Sequence, residues 1–228
     1  PVMLATQRPM PQLCTSVVPH GAYALPAPTK TRKEMRDELQ LERNCKVMLS
    51  FGHIRDGKNL DLVLGAMEEF PDVYLIVAGS DATAGHKSAT EYRSLATAKG
   101  VSDRCRWRVG YISSWDVGNY FIASDLALLT YSGTFKSASG VLNTAVRYRC
   151  PCLASGGEGN LKSVVINYDL GVWVAPDDTE ALVHGLRRWS DSPPTPRWDD
   201  YEREHSWTRN AELVMSRLQL TEAEAASK

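Results

Sequence analysis

Two positive charges close together in the sequence, Arg55 and Lys58, are the residues best suited to bind an anion. They follow the apolar segment Lys46–Phe51 and Gly52, and an amphipathic segment begins at Asn59. Arginine offers a fork of N–H donors and lysine a compact point charge, and both suit phosphate oxygens. The pattern indicates a phosphate site between a strand and a helix, although both residue types are also common in exposed loops.

A second candidate anion site is the Ser/Gly-rich segment 131–143. The preceding segment 125–130 is apolar, as in a buried parallel strand, and segment 141–148 has helical spacing. Ser139 and Gly140 therefore stand at a helix start, where free backbone N–H groups and the helix dipole favour an anion. The same residues are equally compatible with an ordinary N-cap.

The segment 52–58 also approximates a P-loop, because it reads Gly-x4-Gly-Lys after a strand. Asn59 stands where that motif needs a hydroxyl for Mg²⁺, and the bulky segment 53–56 is a poor cradle for phosphate. A P-loop kinase therefore remains an alternative, together with a nucleotide-sugar epimerase. No Gly-x-Gly-x-x-Gly is present, which argues against a nicotinamide enzyme.

Apolar, strand-like segments alternate with helical segments along most of the chain. This alternation predicts an α/β fold with a doubly wound, Rossmann-like parallel sheet. Ligands of such sheets bind beyond the carboxyl ends of the strands. Gly52, Gly79, Gly110 and segment 132–140 all follow predicted strands, so we expect them to meet in one crevice.

Two helices are predicted in more detail. Thr31 should cap a helix that runs to about Gln40, because Glu34 has capping-box spacing. Amphipathic spacing from Trp198 to Leu218 predicts one long final helix.

Several short motifs occur in a recognisable order: Val18-Pro-His-Gly21, Phe51-Gly-x-Ile-Arg-x-x-Lys58, a strand ending at Gly79, Gly110-Tyr-Ile-Ser113, Ala123-Ser-Asp125, Ser139-Gly-Val-Leu142, Pro151-Cys-Leu-Ala154 and His205-Ser-Trp207. This order resembles the C-terminal, nucleotide-sugar-binding domain of family-4 glycosyltransferases with the GT-B fold. The resemblance covers about residues 15–218 and implies that the chain forms the C-terminal half of a GT-B architecture.

The resemblance implies a role for each candidate residue. Arg55 and Lys58 would be catalytic, binding the donor diphosphate and offsetting charge on the departing nucleoside diphosphate. Backbone N–H groups at Ser139, Gly140 and Val141 would complete that site. Base and ribose would contact Gly79, Ser80, Tyr111, Ile112 and Asn143. The sugar would contact Phe135, Lys136, Ser137 and His20.

The sequence departs from the family at two carboxylates. Family members usually carry Glu-x7-Glu across this loop and helix, and the equivalent positions are read here as Phe135 and Asn143. Asn143 can still hydrogen-bond a ribose hydroxyl, whereas Phe135 cannot replace a carboxylate. The identity of the sugar and the retaining mechanism are therefore less firmly implied than donor binding.

The resemblance implies three segments: a linker or remnant over residues 1–14, the donor-binding domain over 15–218 and a disordered tail over 219–228. Family members also have an acceptor-binding domain of similar size, which we expect in cis or in trans. The expected function is hexosyl transfer from a UDP- or GDP-sugar, with retention and without metal. Without the acceptor-binding domain, this chain is not expected to transfer sugar by itself. The alternative is a non-catalytic nucleotide-binding module or a subunit of a split glycosyltransferase.

Composition excludes several other classes. The net charge of −1 leaves no general attraction to nucleic acid, and no apolar run is long enough to span a membrane. The five cysteines are scattered without zinc spacing, so they predict free thiols rather than a metal site or disulfides. We therefore expect a cytoplasmic protein, at most peripheral to a membrane, with no cofactor.

Overall fold

A six-stranded parallel sheet forms the centre of the protein. The computed structural model describes residues 2–4, 16–42, 44–82 and 85–226. The strands are β1 (Val2–Leu4), β2 (Ser16–Val18), β3 (Lys46–Phe51), β4 (Val73–Gly79), β5 (Cys105–Val109), β6 (Leu126–Thr130), β7 (Cys152–Ser155) and β8 (Gly171–Trp173). The helices are α1 (Arg32–Glu38), α2 (Leu60–Ala66), α3 (Ala89–Ala98), α4 (Ser114–Ala123), α5 (Gly140–Arg147), α6 (Asn160–Asn167), α7 (Thr179–Asp191), α8 (Trp198–Glu204) and α9 (Trp207–Ala226).

The order of the strands confirms the predicted doubly wound sheet. It runs β5-β4-β3-β6-β7-β8, and every neighbouring pair is parallel. The chain winds outward from β3 through β4 to β5, crosses to β6, and winds outward in the other direction. Strands β3 and β6 are therefore the topological switch point, where the loops after two adjacent strands lead away from each other and a crevice opens.

Helices cover both faces of the sheet, each over its own apolar core. Side chains of α1, α4, α5 and α6 form one core, and those of α2, α3 and α7 form the other. The middle strands β3, β4 and β6 are almost wholly buried, which explains why their sequences are continuously apolar.

The start of α1 confirms the predicted capping box. The Thr31 side chain accepts a hydrogen bond from the backbone N–H of Glu34, whose carboxylate accepts one from the N–H of Thr31. Ser88 and Glu91 form a second capping box at the start of α3. These side chains satisfy backbone donors that a helix start leaves without partners.

The prediction of one long final helix is wrong, because two helices, α8 and α9, form this part of the chain. Ser206 separates α8 from α9, and its hydroxyl accepts a hydrogen bond from the N–H of Arg209 at 3.0 Å. Ser206 thus acts as the N-cap of a new helix, and local capping overrides the amphipathic spacing.

Both expected flanking segments contain regular structure. Val2–Leu4 pairs in parallel with Ser16–Val18, so part of the expected linker is a strand, and the remainder of 1–14 lies outside the described residues. At the other end, within the segment expected to be a tail, α9 continues to Ala226. The Ala- and Glu-rich sequence 221–226 favours helix intrinsically. Residues 227 and 228 lie outside the described part.

The floor of the crevice is a close crossing of two backbones. Gly79 ends β4 with φ of +148°, and a β-carbon there would collide with the carbonyl of Gly52, which follows β3. The N–H of Gly52 donates to the carbonyl of Ala78 at 2.9 Å, which draws these backbones together. Only glycine fits at position 79.

We therefore predict that Gly79→Ala destabilises the protein by about 3–5 kcal/mol, the sum of backbone strain and collision with backbone. Gly110→Ala is the matched control, because Gly110 has a similar φ of +134° with open space around it. It should cost only about 1–2 kcal/mol of strain. Chemical denaturation of both variants measures the difference, and equal losses would show that the crossing adds nothing.

Candidate functional site

An open cleft of about 570 Å³ lies at the switch point between β3 and β6. It brings together six predicted site residues: Arg55, Lys58, Phe135, Ser139, Gly140 and Val141. The lining is completed by Tyr23, Phe51, Gly52, His53, Ala82, His86, Tyr131, Ala138 and Thr144. The two candidate anion sites of the sequence are thus opposite walls of one cleft.

Lys58 ends a 3-10 turn, Asp56–Lys58, and holds its ammonium in a partly buried position. Nζ donates a hydrogen bond to the backbone carbonyl of Phe51. Burial, and secondarily the charge of Arg55, lowers the pKa of Lys58 to about 8. Loss of hydration therefore destabilises the charged amine until a negative group joins it.

The nearby acid Asp56 does not neutralise this charge, because its carboxylate is used elsewhere. Its Oδ1 accepts hydrogen bonds from the hydroxyl of Tyr92 at 3.0 Å and from the N–H of Lys87 at 3.1 Å. Burial acts to raise the pKa of Asp56, but these hydrogen bonds and nearby cations hold it below its ordinary value. Within the part of the chain that the structure describes, neither Arg55 nor Lys58 forms an ion pair with a carboxylate.

Hydrogen bonds fasten the turn of Lys58 to the loop after β6. The hydroxyl of Thr130 donates to the carbonyl of Lys58 at 2.7 Å. The N–H of Ser132 donates to the carbonyl of Gly57 at 3.1 Å. The two loops that diverge at the switch point are therefore held together at their bases.

The opposite wall is the start of α5. The Ser139 side chain caps this helix by accepting a hydrogen bond from the N–H of Leu142 at 3.2 Å, and it shares a 2.9 Å hydrogen bond with the buried Tyr131 hydroxyl. Burial raises the pKa of Tyr131, so this phenol stays neutral. The first N–H groups of the helix, at Gly140 and Val141, have no intrahelical acceptors and are available to an anion.

Aromatic rings complete the wall. Phe135 stacks on Tyr131 with ring centroids 4.0 Å apart and planes at 20°. The carbonyl of Phe135 accepts a hydrogen bond from the N–H of Gly157, which fixes the loop between them. No Asp or Glu is among the described residues that line the cleft. Its electrostatic character is therefore cationic and aromatic.

The other predicted contacts do not line this cleft. Gly79 and Ser80 lie beneath it, where the carbonyl of Ser80 accepts a hydrogen bond from the N–H of Ile54 at 2.8 Å. Tyr111, with 87% of its surface exposed, and Ile112 belong to the loop between β5 and α4. Lys136 and Ser137 are exposed at the rim of the loop before α5.

Asn143 and His20 do not line the cleft itself but lie together behind the start of α5. Asn143 is 4% exposed, and its Oδ1 accepts a hydrogen bond from the Tyr201 hydroxyl at 2.9 Å. Its Nδ2 lies 3.2 Å from Nδ1 of His20. The next residue, Thr144, lines the cleft, because one residue along a helix turns a side chain by about 100°.

Sequence reasoning missed several lining residues. Tyr23 reaches the cleft from a loop with no periodicity, so nothing local indicated its place. His86 also lines the cleft and has Nδ1 at 3.8 Å from a carboxylate oxygen of Asp56. Tyr131 and Thr144 could have been found from strand and helix geometry, because each adjoins a residue already selected.

Comparison with known proteins identifies the family. The family model described as "Glycosyl transferases group 1" matches residues 31–214. The chain belongs to this family. The match contains Arg55, Lys58 and the start of α5, so both walls of the cleft lie within this glycosyltransferase domain, whereas the lining residue Tyr23 precedes it. Family membership also argues against the kinase and the epimerase.

Individual relatives agree with this assignment. D-inositol 3-phosphate glycosyltransferase from Mycobacterium ulcerans is 30% identical over 154 residues, which are 64% of this chain and 33% of that protein. The chain thus spans about a third of the length of the curated relatives it matches.

Solved structures show the GT-B type of fold. Anabaena HepE, in complex with UDP and glucose, matches with a TM-score of 0.71 at 16% identity, over 90% of this chain and 57% of that one. The C-terminal domain of the group 1 glycosyl transferase LpcC from Francisella tularensis matches with a TM-score of 0.63 at 16% identity, over 79% of this chain and 96% of that one.

The helices and the possible metal ligands of the described residues bear on membrane and metal binding. Across the described ranges, no helix has both the length and the apolar character needed to cross a bilayer. Among the same residues, no three His, Cys, Asp or Glu side chains converge as ligands for a metal ion.

We predict that Lys58→Met stabilises the ligand-free protein at pH 7 by about 1–2 kcal/mol, because it removes an uncompensated, partly buried charge. The folded pKa of about 8 lies below the ordinary value of 10.5. Between these values the unfolded state binds more protons, so the wild type gains stability as pH rises. The lower stability of the wild type relative to Lys58→Met should therefore disappear near pH 10.

Chemical denaturation at pH 7 and pH 10 measures this effect. Lys136→Met is the matched control, because Lys136 is exposed, and it should change stability by less than about 0.5 kcal/mol. A Lys58→Met variant less stable than the wild type at pH 7 would contradict the unpaired charge.

Proposed function

We propose that this domain binds a UDP- or GDP-sugar and takes part in transfer of the hexosyl group to an acceptor, with retention and without a metal ion. The observation that carries the proposal is the pair of cations, Arg55 and Lys58, facing the start of α5 across one cleft. Two positive side chains and free helix N–H groups form a site for a diphosphate.

The proposed mechanism is stabilisation of the leaving group. When the bond between the sugar and the diphosphate breaks, negative charge accumulates on the departing phosphate oxygens. Arg55 and Lys58 are already in place to neutralise it, so little reorganisation is needed at that moment. An incoming diphosphate also favours the protonated form of Lys58, whose pKa of about 8 without ligand should rise on binding.

The remaining contacts are proposed from the family resemblance. The base and ribose would contact five residues: Gly79, Ser80, Tyr111, Ile112 and Asn143. The sugar would contact Phe135, Lys136, Ser137 and His20. Support for a uridine nucleotide comes from Anabaena HepE, whose structure contains UDP. A cytoplasmic location, at most peripheral to a membrane, is part of the same proposal, and the four described cysteines are free and buried.

A partner domain is also part of the proposal. The curated relatives are about three times as long as the matched segment, and the matching LpcC structure is that of a C-terminal domain. We propose that an acceptor-binding domain, in cis or in trans, completes the active site. This chain alone would then bind donor without transferring sugar.

Calorimetry with UDP and GDP tests the proposal. We expect binding of one nucleotide, unchanged by EDTA, and a loss of about 1.5–3 kcal/mol of binding energy for Arg55→Ala or Lys58→Ala, as for hydrogen bonds to charged groups. Arg187→Ala is the matched control, because Arg187 is paired with Glu69 outside the cleft and should leave affinity unchanged. If wild type binds neither nucleotide, donor binding is refuted.

A second candidate is a non-catalytic nucleotide-binding module. The absence of Asp and Glu from the described cleft lining favours it, because no carboxylate there can accept hydrogen bonds from the sugar hydroxyls. This module would bind UDP or GDP as tightly as an enzyme does. Mixing the chain with the acceptor-binding half of a family member separates the two, since sugar transfer would eliminate the non-catalytic candidate.

A further inference from the structure

Asp177 lies in the loop between β8 and α7, and its carboxylate joins two loops of the cleft. Its Oδ1 accepts a hydrogen bond from Nδ2 of Asn59 at 2.8 Å, and its Oδ2 accepts one from the N–H of Gly133 at 2.8 Å. Asn59 directly follows Lys58, and Gly133 lies in the loop that leads from β6 to Ser139. One side chain therefore fastens the Lys58 turn to the loop of the opposite wall.

The backbone of Asp177 adopts a conformation that favours glycine. Its φ is +58°, in the left-handed region, where only Asp and Asn among ordinary residues are tolerated with some ease. The helix that follows does not require this residue, because the adjacent Asp178 caps α7 by accepting hydrogen bonds from the N–H groups of Glu180 and Ala181. The bridge therefore accounts for a side chain at a position that glycine would occupy without strain.

Asp177 itself does not line the cleft. Asn59 and Gly133 do not line it either. Asn59 directly follows the lining residue Lys58, and Gly133 lies between the lining residues Tyr131 and Phe135. Asn59 is 9% exposed and left-handed, with φ of +52°, so its side chain has little freedom to find another acceptor. A change at Asp177 would thus reach the cleft through the backbone positions of Lys58 and of the loop before α5.

We propose that Asp177 is a positioning residue that sets the separation between the Lys58 turn and the start of α5. Both walls must contact the same diphosphate, so their separation determines how well the anion fits. The identity of that anion rests on the proposed function. The bridge itself is independent of it, because both of its hydrogen bonds are formed between groups of the protein.

A positioning role and a purely electrostatic effect of Asp177 predict opposite changes in anion affinity when its carboxylate is removed. A carboxylate near an anion site repels the anion, so its removal should strengthen binding if charge alone matters. If Asp177 acts by positioning, its removal should weaken binding, because Lys58 and the helix N–H groups would no longer be correctly spaced.

Three variants separate these effects, each measured by calorimetry with UDP and by thermal unfolding. Asp177→Gly removes the bridge and relieves the left-handed strain, so we expect roughly tenfold weaker binding with little change in Tm. Asp177→Asn tolerates the conformation and keeps the bridge when the Asn59 amide turns over, because the new amide oxygen accepts from the N–H of Gly133 and its NH2 donates to Oδ1 of Asn59. Affinity should therefore return to the wild-type value or above it. Asp178→Ala removes only the helix cap, so Tm should fall by several degrees with unchanged affinity.

A ligand-free measurement distinguishes failure of this proposal from failure of the proposed function. NMR titration of the Lys58 side chain should give a pKa of about 8 in the wild type and a value nearer 10.5 in Asp177→Gly, because the released turn exposes the amine. If wild type binds neither UDP nor GDP while this pKa still rises, the bridge positions Lys58 and the proposed function is wrong. An unchanged Lys58 pKa, or unchanged or tighter UDP binding in Asp177→Gly, overturns the positioning role.

Discussion

The pairing of β3 with β6 is the contact on which the cleft depends. The two halves of the sheet meet only there, through the register Met48 with Leu126 and Leu49 with Ala127. At one end of the pair, the Asp125 carboxylate accepts hydrogen bonds from the N–H of Val47 at 2.8 Å and from Arg36 at 2.7 Å.

At the other end of the pair the chain diverges, and the cleft occupies the space that is left. The hydroxyl of Thr130 bonds the Lys58 carbonyl there, so the divergent loops stay anchored at their bases. A pair clamped at both ends can hold two walls apart at a fixed distance. A fixed distance between the walls is required if both are to contact one anion, as proposed for this cleft.

Such a site carries groups that cost stability. Lys58 forms no ion pair with a carboxylate among the described residues, and burial lowers its pKa to about 8. Asn59 and Asp177 both have left-handed backbones close by. These features persist because the surrounding structure determines them, with an apolar core on each face of the sheet. The stable part of the fold and the functional part are thus separate: buried strands supply stability, and the loops at their carboxyl ends hold the strained and charged groups.

Most of the fold could be predicted from the sequence because its signals are local. Continuous apolar runs indicated the buried strands of a parallel sheet, and the capping box at Thr31 and Glu34 placed the start of α1. Arg55, Lys58 and the start of α5 were found for the same reason, since each stands at a strand or helix boundary that the sequence itself reveals. Ser206 divided the last helix because one side-chain hydrogen bond outweighed the longer amphipathic pattern.

The parts that escaped prediction depend on contacts between distant segments or on a single residue of register. Tyr23 reaches the cleft from a loop, and Asp177 bridges residues 118 and 44 positions away, so no local spacing announces either. Of the neighbours Asn143 and Thr144 on α5, Thr144 lines the cleft and Asn143 does not, because one residue turns a side chain to another face of the helix. Sequence spacing alone does not show which of two such neighbours faces the cleft.

The absence of carboxylates from the described cleft lining limits the chemistry that its own side chains can perform. Without a carboxylate there, the proposed chemistry of this cleft rests on stabilising charge and on orienting groups. That is sufficient for the proposed departure of a diphosphate, which is a stable anion. Deprotonation of an acceptor hydroxyl would fall to the departing phosphate, to an imidazole of the lining (His53 or His86) or to residues outside this cleft. The two walls around Lys58 would then control when the bond breaks, and the geometry of the bridge at Asp177 would matter more than any single reactive side chain.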